Sequence, residues 1–368
     1  MNSVESEIKN LVLSEKYKLD ISKLTNKQLK IKAKYLIDKI GFCVIENVIK
    51  NNIKDLILEI ENAQKKIKNN TELFRKLLKK NTNEKIILNH PHLEVRMTKY
   101  KNRKSKLVND IFWMPKFSKY LGKKTVTDII KFILDDQIRI GQLHPKSAIS
   151  KSSDGKKIVI KNDLFGLPRV RQGNLDVREW HTDWPHDPWG YGGKNKNENI
   201  GCIKDPFPDI TLGLVVMHFL TDASKSGGTL VVPGSHKFGN SPRHGHISTI
   251  LPIKGEYQIK AKAGSVFIQD TRLWHSSPVS EQTKKKKRVV VLSRWYPWWL
   301  QIDEYATKSR LNGVARPLSI KDLKKLPKDL RPYMEHLCND FEAELQSSII
   351  NRTKINIKRS SKFFKQIK

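Results

Sequence analysis

The part of the chain from residue 136 to residue 299 consists of short apolar segments separated by Gly, Pro, Asp and Asn. Strands at this spacing, joined by turns, are typical of a jelly roll or a related barrel rather than a parallel sheet. The pattern therefore predicts a mainly β fold with a double-stranded β-helix (jelly roll) core. The clearest strand-like segments are residues 158–160, 174–179, 211–220, 229–232, 255–261, 265–269 and 288–295.

Helical periodicity flanks this β region on both sides. Apolar residues recur at helical spacing between residues 4 and 40, and the pattern returns after Pro297. The final residues are polar and basic, which is typical of a frayed helix or a tail. We predict an N-terminal helical region (1–135) with a short strand at 41–46 packed on the core, a double-stranded β-helix core (136–300), and C-terminal helices with a basic tail (301–368).

The chain is strongly basic, with 70 Lys and Arg against 37 Asp and Glu and a formal charge of +33. Such a charge favours nucleic acid or another anionic surface as a partner. A compositional bias explains it equally simply, because Lys is scattered along the whole chain and Ile and Asn are also abundant. We favour the compositional explanation.

The cysteines and the termini indicate a cytoplasmic protein. Cys43, Cys202 and Cys338 are far apart and lack the spacing of a zinc site, so we expect reduced thiols. The first ten residues contain Glu5 and Glu7 and no apolar stretch of the kind found in secretory signals. No apolar run approaches the roughly 20 residues that a membrane-spanning helix needs.

A candidate metal site is formed by His181, Asp183 and His275. His181 and Asp183 lie two residues apart at the end of a predicted strand, so their side chains project from the same face. His275 follows a predicted turn and strand at 263–270, which would bring it into the same barrel. Two His and one carboxylate are the ligand set that binds Fe(II) and leaves positions open for oxygen chemistry.

Two arginines are candidates for binding the carboxylate of a 2-oxoacid. Arg288 begins the strand 288–292, and Arg294 lies an even number of residues further on, so both share one strand face. The rigid guanidinium fork is suited to a carboxylate. We favour Arg288 because it is nearer to His275, although it also ends the basic run 284–287, which is typical of a solvated hairpin loop.

Several motifs together resemble the phytanoyl-CoA dioxygenase family of Fe(II)/2-oxoglutarate oxygenases. The Gly-rich turn that leads through a β run into Pro-Gly-Ser-His is a specific mark of that family, and the resemblance extends over roughly residues 35–300. The supporting stretches are Gly41-Phe42-Cys43-Val44-Ile45-Glu46, Trp180-His181-Thr182-Asp183, Leu220-Thr221-Asp222, Gly227 to Lys237, Leu273-Trp274-His275 and Arg288.

The resemblance implies an enzyme that uses Fe(II), 2-oxoglutarate and O2 and releases succinate and CO2. It implies that His181, Asp183 and His275 bind the metal, and hydroxylation of the substrate is the default outcome. Arg288 would bind 2-oxoglutarate, and Thr211 and Ser277 are further candidates for contacts to this cosubstrate.

The loop 184–209 directly follows the carboxylate ligand and is rich in Gly, Pro, Asn and Trp. We expect it to cover the site as a lid and to contribute to substrate choice. Its Trp184, His186 and Trp189 are candidate substrate contacts, and its composition favours a small polar or amphipathic molecule. His218 is either a substrate contact or a core histidine. We expect the Trp residues at 295, 298 and 299 to belong to the core.

Two other functions are compatible with the sequence. The positive charge motivates an oxygenase that acts on nucleic acid, for which binding would weaken steeply with salt. The stretch from Arg288 to Arg294 lacks the Asn that nucleic-acid demethylases of the superfamily carry between two such arginines. The second alternative is a non-catalytic jelly-roll binding protein, which would form no succinate.

Overall fold

The computed structural model describes residues 3–63, 97–101, 104–107, 114–149, 157–160, 169–172, 180–183, 209–223, 228–238, 242, 253–276, 287–300 and 320–337. Its helices are α1 (Ser3–Leu13), α2 (Asn26–Ile40), α3 (described over 53–63), α4 (Pro115–Leu121), α5 (Lys124–Ile133) and α6 (Ile320–Leu323). Short 3-10 helices occur at Ser235–Lys237, Arg331–Tyr333 and Glu335–Leu337. Among the described helices, none combines the length and the apolar character needed to cross a membrane.

The strands form two main sheets. They are β1 (Lys18–Asp20), β2 (Phe42–Glu46), β3 (Met97–Lys101), β4 (Lys104–Leu107), β5 (Ile138–Ile149), β6 (Lys157–Ile160), β7 (Arg169–Gln172), β8 (Leu214–Phe219), β9 (Leu230–Val231), β10 (Tyr257–Gln258), β11 (Val266–Asp270), β12 (His275–Ser276) and β13 (Lys287–Pro297). The larger sheet has the order β1-β2-β11-β8-β13-β5, and the smaller sheet has the order β10-β9-β12. β3 pairs with β4 and β6 with β7 in separate ladders. The prediction of a mainly β protein is confirmed.

The predicted N-terminal strand lies within the larger sheet. β2 pairs antiparallel with β11, with Phe42 opposite Gln269 and Ile45 opposite Val266. β1 extends the sheet by one further strand, parallel to β2. The helical N-terminal region therefore contributes two strands to the same sheet as the β core.

The two faces of the larger sheet have different neighbours, as β8 shows. Met217 contacts Thr229, which directly precedes β9 of the smaller sheet. The next residue, His218, points to the opposite face, where its ring lies 5.2 Å from that of Phe117 in α4. One face of the larger sheet is thus turned toward the smaller sheet and the other toward the helices.

Helix α2 is defined by sequence signals at both ends. Thr25 accepts a hydrogen bond from the amide of Gln28, whose side chain accepts one from the amide of Thr25, so the two residues form a capping box. The helix ends at Gly41, whose positive φ of 86° favours glycine. The face of α2 that packs into the core consists of Leu29, Ala33, Leu36, Ile37 and Ile40.

The expectation for the tryptophans near the end of β13 is only partly correct. Trp295 is buried and packs edge-on against Tyr333. Trp298 and Trp299 are 56% and 53% exposed, so their assignment to the core is wrong. The physical reason is that β13 ends at Pro297, and the chain leaves the sheet before these two side chains.

Candidate metal centre

Residues 180–183 run beside β12 at the edge of the smaller sheet. His181 and His275 exchange two backbone hydrogen bonds, with N···O distances of 3.0 and 2.9 Å. The amide of Asp183 donates to the carbonyl of Thr271 at 2.8 Å. Since side chains two residues apart in an extended segment point to one face, this backbone pairing directs His181 and Asp183 to the same side as His275.

The three side chains converge. One ligand atom from each of His181, Asp183 and His275 lies within 4.8 Å of the others, and this is the single such group of His, Cys, Asp or Glu found among the described residues. The imidazole centroids are 4.2 Å apart, and His275 Nε2 lies 3.5 Å from Asp183 Oδ2. Asp183 and His275 are buried and His181 is half-buried, so bulk water is largely excluded from the cluster.

The ring of His275 is fixed in the tautomer that a metal ligand needs. Its Nδ1 lies 2.9 Å from the carbonyl oxygen of Leu273, and because a carbonyl only accepts, Nδ1 carries the hydrogen. In the neutral ring the lone pair is therefore on Nε2, the atom that faces Asp183. A backbone carbonyl that orients the ring in this way is a usual partner of metal-binding histidines.

The cluster fits Fe(II). Two neutral imidazoles and one carboxylate form the facial donor set of mononuclear iron oxygenases. Arg294 contacts Asp183 Oδ1, whereas Oδ2 is directed toward His275. The buried guanidinium thus balances the carboxylate charge and fixes its orientation, and one carboxylate oxygen remains on the side of the two imidazoles.

A buried ion pair supports the loop between β11 and β12. Arg272 binds Asp270 with Nη2 at 2.8 Å and Nε at 3.0 Å, and both side chains are almost fully buried. Although burial alone lowers the pKa of Arg272, the hydrogen bonds and charge of Asp270 raise it overall. The same loop provides the carbonyls of Thr271 and Leu273 that position Asp183 and His275. This pair was not among the residues predicted from the sequence, although the Asp-Thr-Arg stretch beside His275 could have indicated it.

Thr211 belongs to this supporting network. Its hydroxyl lies 2.8 Å from Asp270 Oδ2 and donates to it. A threonine has one hydroxyl hydrogen, and a carboxylate needs a donor. In this arrangement the hydroxyl hydrogen of Thr211 is directed to Asp270, and a contact of Thr211 with 2-oxoglutarate stays a prediction.

The Pro-Gly-Ser-His turn supports the metal ligand on β12. The buried Ser235 hydroxyl accepts a hydrogen bond of 2.8 Å from the amide of Trp274, the residue before His275. The amide of Val232 donates to the carbonyl of Trp274 at 3.0 Å, and that of Gly234 donates to the carbonyl of Ile40 at 3.0 Å. The motif therefore joins the end of α2 to the strand that carries His275.

Arg288 lies between the two sheets, away from any described carboxylate. Its Nη2 lies 3.2 Å from Met217 Sδ and 3.3 Å from Thr229 Oγ1, and its guanidinium is 5.8 Å from the ring centroid of Phe219. The residue as a whole is half-buried, but its Nε is buried without a hydrogen-bond partner among the described residues. Burial lowers the pKa of Arg288 to about 10. An enclosed cation with incomplete hydrogen bonding is suited to an anionic ligand.

His218 lies on the face of β8 opposite to Met217, against Phe117 of α4. This position supports the core-histidine alternative, because a substrate beside the metal would be on the other side of the sheet. Burial lowers the pKa of His218 to about 4, so the ring is neutral at physiological pH. The predicted substrate contacts Trp184, His186 and Trp189, the lid 184–209 except Asp209, and Ser277 lie outside the described residues.

Comparison with known proteins gives one family and a set of distant structures. The family model of phytanoyl-CoA dioxygenase (PhyH) matches residues 163–286. Two curated relatives, Uncharacterized protein Rv1501 of Mycobacterium tuberculosis and Uncharacterized protein Mb1539 of Mycobacterium bovis, are each 29% identical over 127 residues. The match covers 34% of this chain and 36% of each relative, so the chain spans about a third of the length of the curated relatives it matches.

The similar solved structures include HygX from Streptomyces hygroscopicus with iron bound, at 14% identity and a TM-score of 0.41, covering 78% of this chain and 94% of that chain. The non-heme alpha ketoglutarate dependent epimerase SnoN from nogalamycin biosynthesis is 12% identical with a TM-score of 0.37, covering 73% and 80%. Likeness at this level carries no argument about activity. The family match includes His181, Asp183 and His275. It confirms the resemblance that the motifs indicate: residues 163–286 match the model of the phytanoyl-CoA dioxygenase (PhyH) family.

Proposed function

We propose that the chain is an Fe(II)- and 2-oxoglutarate-dependent dioxygenase that hydroxylates a small polar or amphipathic substrate and releases succinate and CO2. The observation that carries this proposal is the convergence of His181, Asp183 and His275 within the segment that matches the PhyH family. Fe(II), with 2-oxoglutarate and O2, supplies the oxidising chemistry when bound. The protein holds the ligands, orients the cosubstrate and limits access of water.

The strand order supports a double-stranded β-helix as the core. Along the chain, β8 lies in the larger sheet, β9 and β10 in the smaller, β11 in the larger, β12 in the smaller and β13 in the larger. The segment 180–183 pairs with β12 and so extends the smaller sheet. This alternation between two facing sheets is the arrangement of a jelly roll. In this proposal residues 1–135 and 301–368 are extensions of a core at 136–300.

The positions of the two arginines support Arg288 as the 2-oxoglutarate anchor. Arg288 and Arg294 are six residues apart on β13, about 20 Å along an extended strand. Arg294 contacts Asp183 and is thus at the metal end. Arg288 lies toward the other end of the same strand face, and the structure describes no carboxylate beside it. The distal carboxylate of 2-oxoglutarate would supply the missing anion, as a bidentate partner of the guanidinium.

We place substrate selection in the loop 184–209. The loop begins directly after the proposed metal ligand Asp183, so its first residues are adjacent to that ligand in the chain. Trp184 and Trp189 would form apolar walls, and His186 would donate or accept a hydrogen bond. Ser277, two residues after His275, remains a candidate for the distal carboxylate of 2-oxoglutarate.

Metal and cosubstrate binding can be tested before the substrate is known. Purified protein should bind one Fe(II) per chain anaerobically, and 2-oxoglutarate only when the metal is present. Replacement of His181 or Asp183 by Ala should abolish both. If these variants retained metal and 2-oxoglutarate binding, the site assignment would be incorrect.

Turnover tests the enzymatic part of the proposal. With Fe(II), ascorbate, 2-oxoglutarate and O2, a pool of small polar metabolites should contain one that stimulates succinate formation above the rate without substrate. Arg294→Lys is an informative companion variant, because it keeps a cation near Asp183 but loses the planar fork. Intact metal and 2-oxoglutarate binding with no succinate from any metabolite pool would favour the non-catalytic binding protein instead.

A further inference from the structure

Three side chains from both sheets meet at the proposed anchor for the cosubstrate. Arg288 and Met217 belong to β13 and β8 of the larger sheet, and Thr229 directly precedes β9 of the smaller sheet. Arg288 Nη2 lies 3.3 Å from Thr229 Oγ1 and 3.2 Å from Met217 Sδ. The site therefore bridges the space between the sheets.

Donors exceed acceptors at this point. The guanidinium of Arg288 has five N–H donors and no acceptor. The hydroxyl of the buried Thr229 lies 3.9 Å from the same Met217 sulfur that Arg288 contacts. Thioether sulfur is a weak acceptor, and two donors share it here. In the part of the chain that the structure describes, the buried Nε of Arg288 has no hydrogen-bond partner. An anion is the ligand that would satisfy this group of donors.

The position of Thr229 is fixed before any ligand arrives. The carbonyl of Thr229 accepts a hydrogen bond of 2.9 Å from the amide of Ile259, and the side chain of Gln258 donates to the carbonyl of Gly228 at 3.1 Å. Both neighbours belong to the β10 region of the smaller sheet. A donor held in this way loses little freedom on binding, which favours affinity.

We propose that Thr229 is a second binding residue for the distal carboxylate of the cosubstrate, acting together with Arg288. One carboxylate oxygen would take the hydroxyl hydrogen of Thr229 in place of the weak contact to Met217 sulfur. The guanidinium would bind the same carboxylate. This inference rests on the proposed use of 2-oxoglutarate. It adds a second residue that binds the distal carboxylate of that molecule.

The test is calorimetric titration of the Ni(II)-loaded protein, so that no turnover is needed. Two ligands are compared: 2-oxoglutarate, and 2-oxobutyrate at higher concentration, which has the same chelating end but no distal carboxylate. Thr229→Val removes the hydroxyl at nearly constant volume, and Thr229→Ser retains it. Thr127→Val is the matched control, because Thr127 is buried in α5 and its hydroxyl bonds to the backbone carbonyls of Lys123 and Lys124.

We expect Thr229→Val to weaken 2-oxoglutarate binding by about tenfold or more, the effect of one hydrogen bond to a charged group. Binding of 2-oxobutyrate and of Ni(II) should not change, Thr229→Ser should bind 2-oxoglutarate nearly as wild type, and Thr127→Val should be unaffected. The inference is overturned if Thr229→Val binds 2-oxoglutarate as tightly as wild type, or if it loses Ni(II) or both 2-oxoacids equally. If wild type binds 2-oxoglutarate no better than 2-oxobutyrate, the proposed anchor itself fails, whatever Thr229 does.

Discussion

Replacement of Gly41 by Ala tests whether the end of α2 supports the metal centre. Gly41 has a φ of 86°, and a Cβ at this position would lie 2.7 Å from Leu273 Cδ1 and 2.8 Å from His236 Nδ1. Leu273 and His236 are both buried and have little room to move. The carbonyl of Leu273 orients His275, so a displaced Leu273 should disturb the ligand.

The chain contains a matched control. Gly255 has nearly the same φ, 85°, but a Cβ there would meet nothing within 4 Å. Both Ala variants carry the left-handed strain of a non-glycine residue, about 1–2 kcal/mol. Only Gly41→Ala adds the overlap with buried side chains, for which overpacking costs about 1–3 kcal/mol more.

The measurement is urea denaturation of both variants together with a Ni(II) titration. We expect Gly41→Ala to lose about 2–5 kcal/mol of unfolding free energy and Gly255→Ala about 1–2 kcal/mol. Ni(II) affinity should fall in the first variant and stay at the wild-type value in the second. Equal destabilisation of the two variants, or unchanged Ni(II) affinity in Gly41→Ala, would refute the link between this helix end and His275.

Four further predictions concern single side chains. Asp270→Asn removes the closer of the two carboxylates that contact the buried Arg272 and should lower the unfolding free energy by about 3–5 kcal/mol in urea denaturation. Thr211→Val removes one hydrogen bond to the Asp270 carboxylate and should cost less, about 1.5–3 kcal/mol. Arg288→Met should weaken 2-oxoglutarate binding about 30-fold or more in calorimetry while Ni(II) affinity is kept. Ser235→Ala removes the acceptor of the buried Trp274 amide, so the unfolding free energy should fall by about 1–3 kcal/mol and the Ni(II) affinity should decrease. The conservative variant Ser235→Thr keeps a hydroxyl and should retain part of the Ni(II) affinity. Burial lowers the pKa of His218 to about 4, so the unfolded chain binds the proton at a higher pH than the folded protein does. The unfolding free energy should therefore decrease by about 3 kcal/mol as the pH falls from 6.5 to 4. This contribution should be absent from the pH dependence of His218→Phe.

The sequence predicted the parts of the site that depend on residue type. Imidazole and carboxylate side chains have few alternatives as Fe(II) ligands, and the two-residue spacing of His181 and Asp183 translates directly into a shared face. The strand-like segments at 211–220, 265–269 and 288–295 correspond to β8, β11 and β13. Short apolar runs bounded by Gly, Pro, Asp and Asn were sufficient for these strands, because each run is a local feature of the sequence.

The sequence did not reveal which of the two arginines on β13 is already paired with a carboxylate of the protein. Arg288 and Arg294 lie on the same strand face, and periodicity cannot distinguish them. The difference arises from partners distant in sequence: Asp183 beside Arg294, and Met217 and Thr229 beside Arg288. Similarly, the hydrogen bond between Thr211 and Asp270, which are remote from each other in the chain, could not be predicted from the sequence. Long-range pairing is fixed by the fold as a whole, which local patterns do not contain.

The supporting contacts of the ligands explain why the motifs are longer than the ligand set. Backbone carbonyls of Thr271 and Leu273 hold Asp183 and His275, and any residue type supplies a carbonyl. Residue identity matters only where a side chain fixes that backbone: Asp270 with Arg272 within the loop, and Ser235 with the amide of Trp274. A change at these positions should therefore alter metal affinity although none of them contacts the ion. A chain that kept His181, Asp183 and His275 but lost these supports would have the right ligands in an imprecise arrangement, and ligands displaced by about 1 Å are sufficient to impair a site.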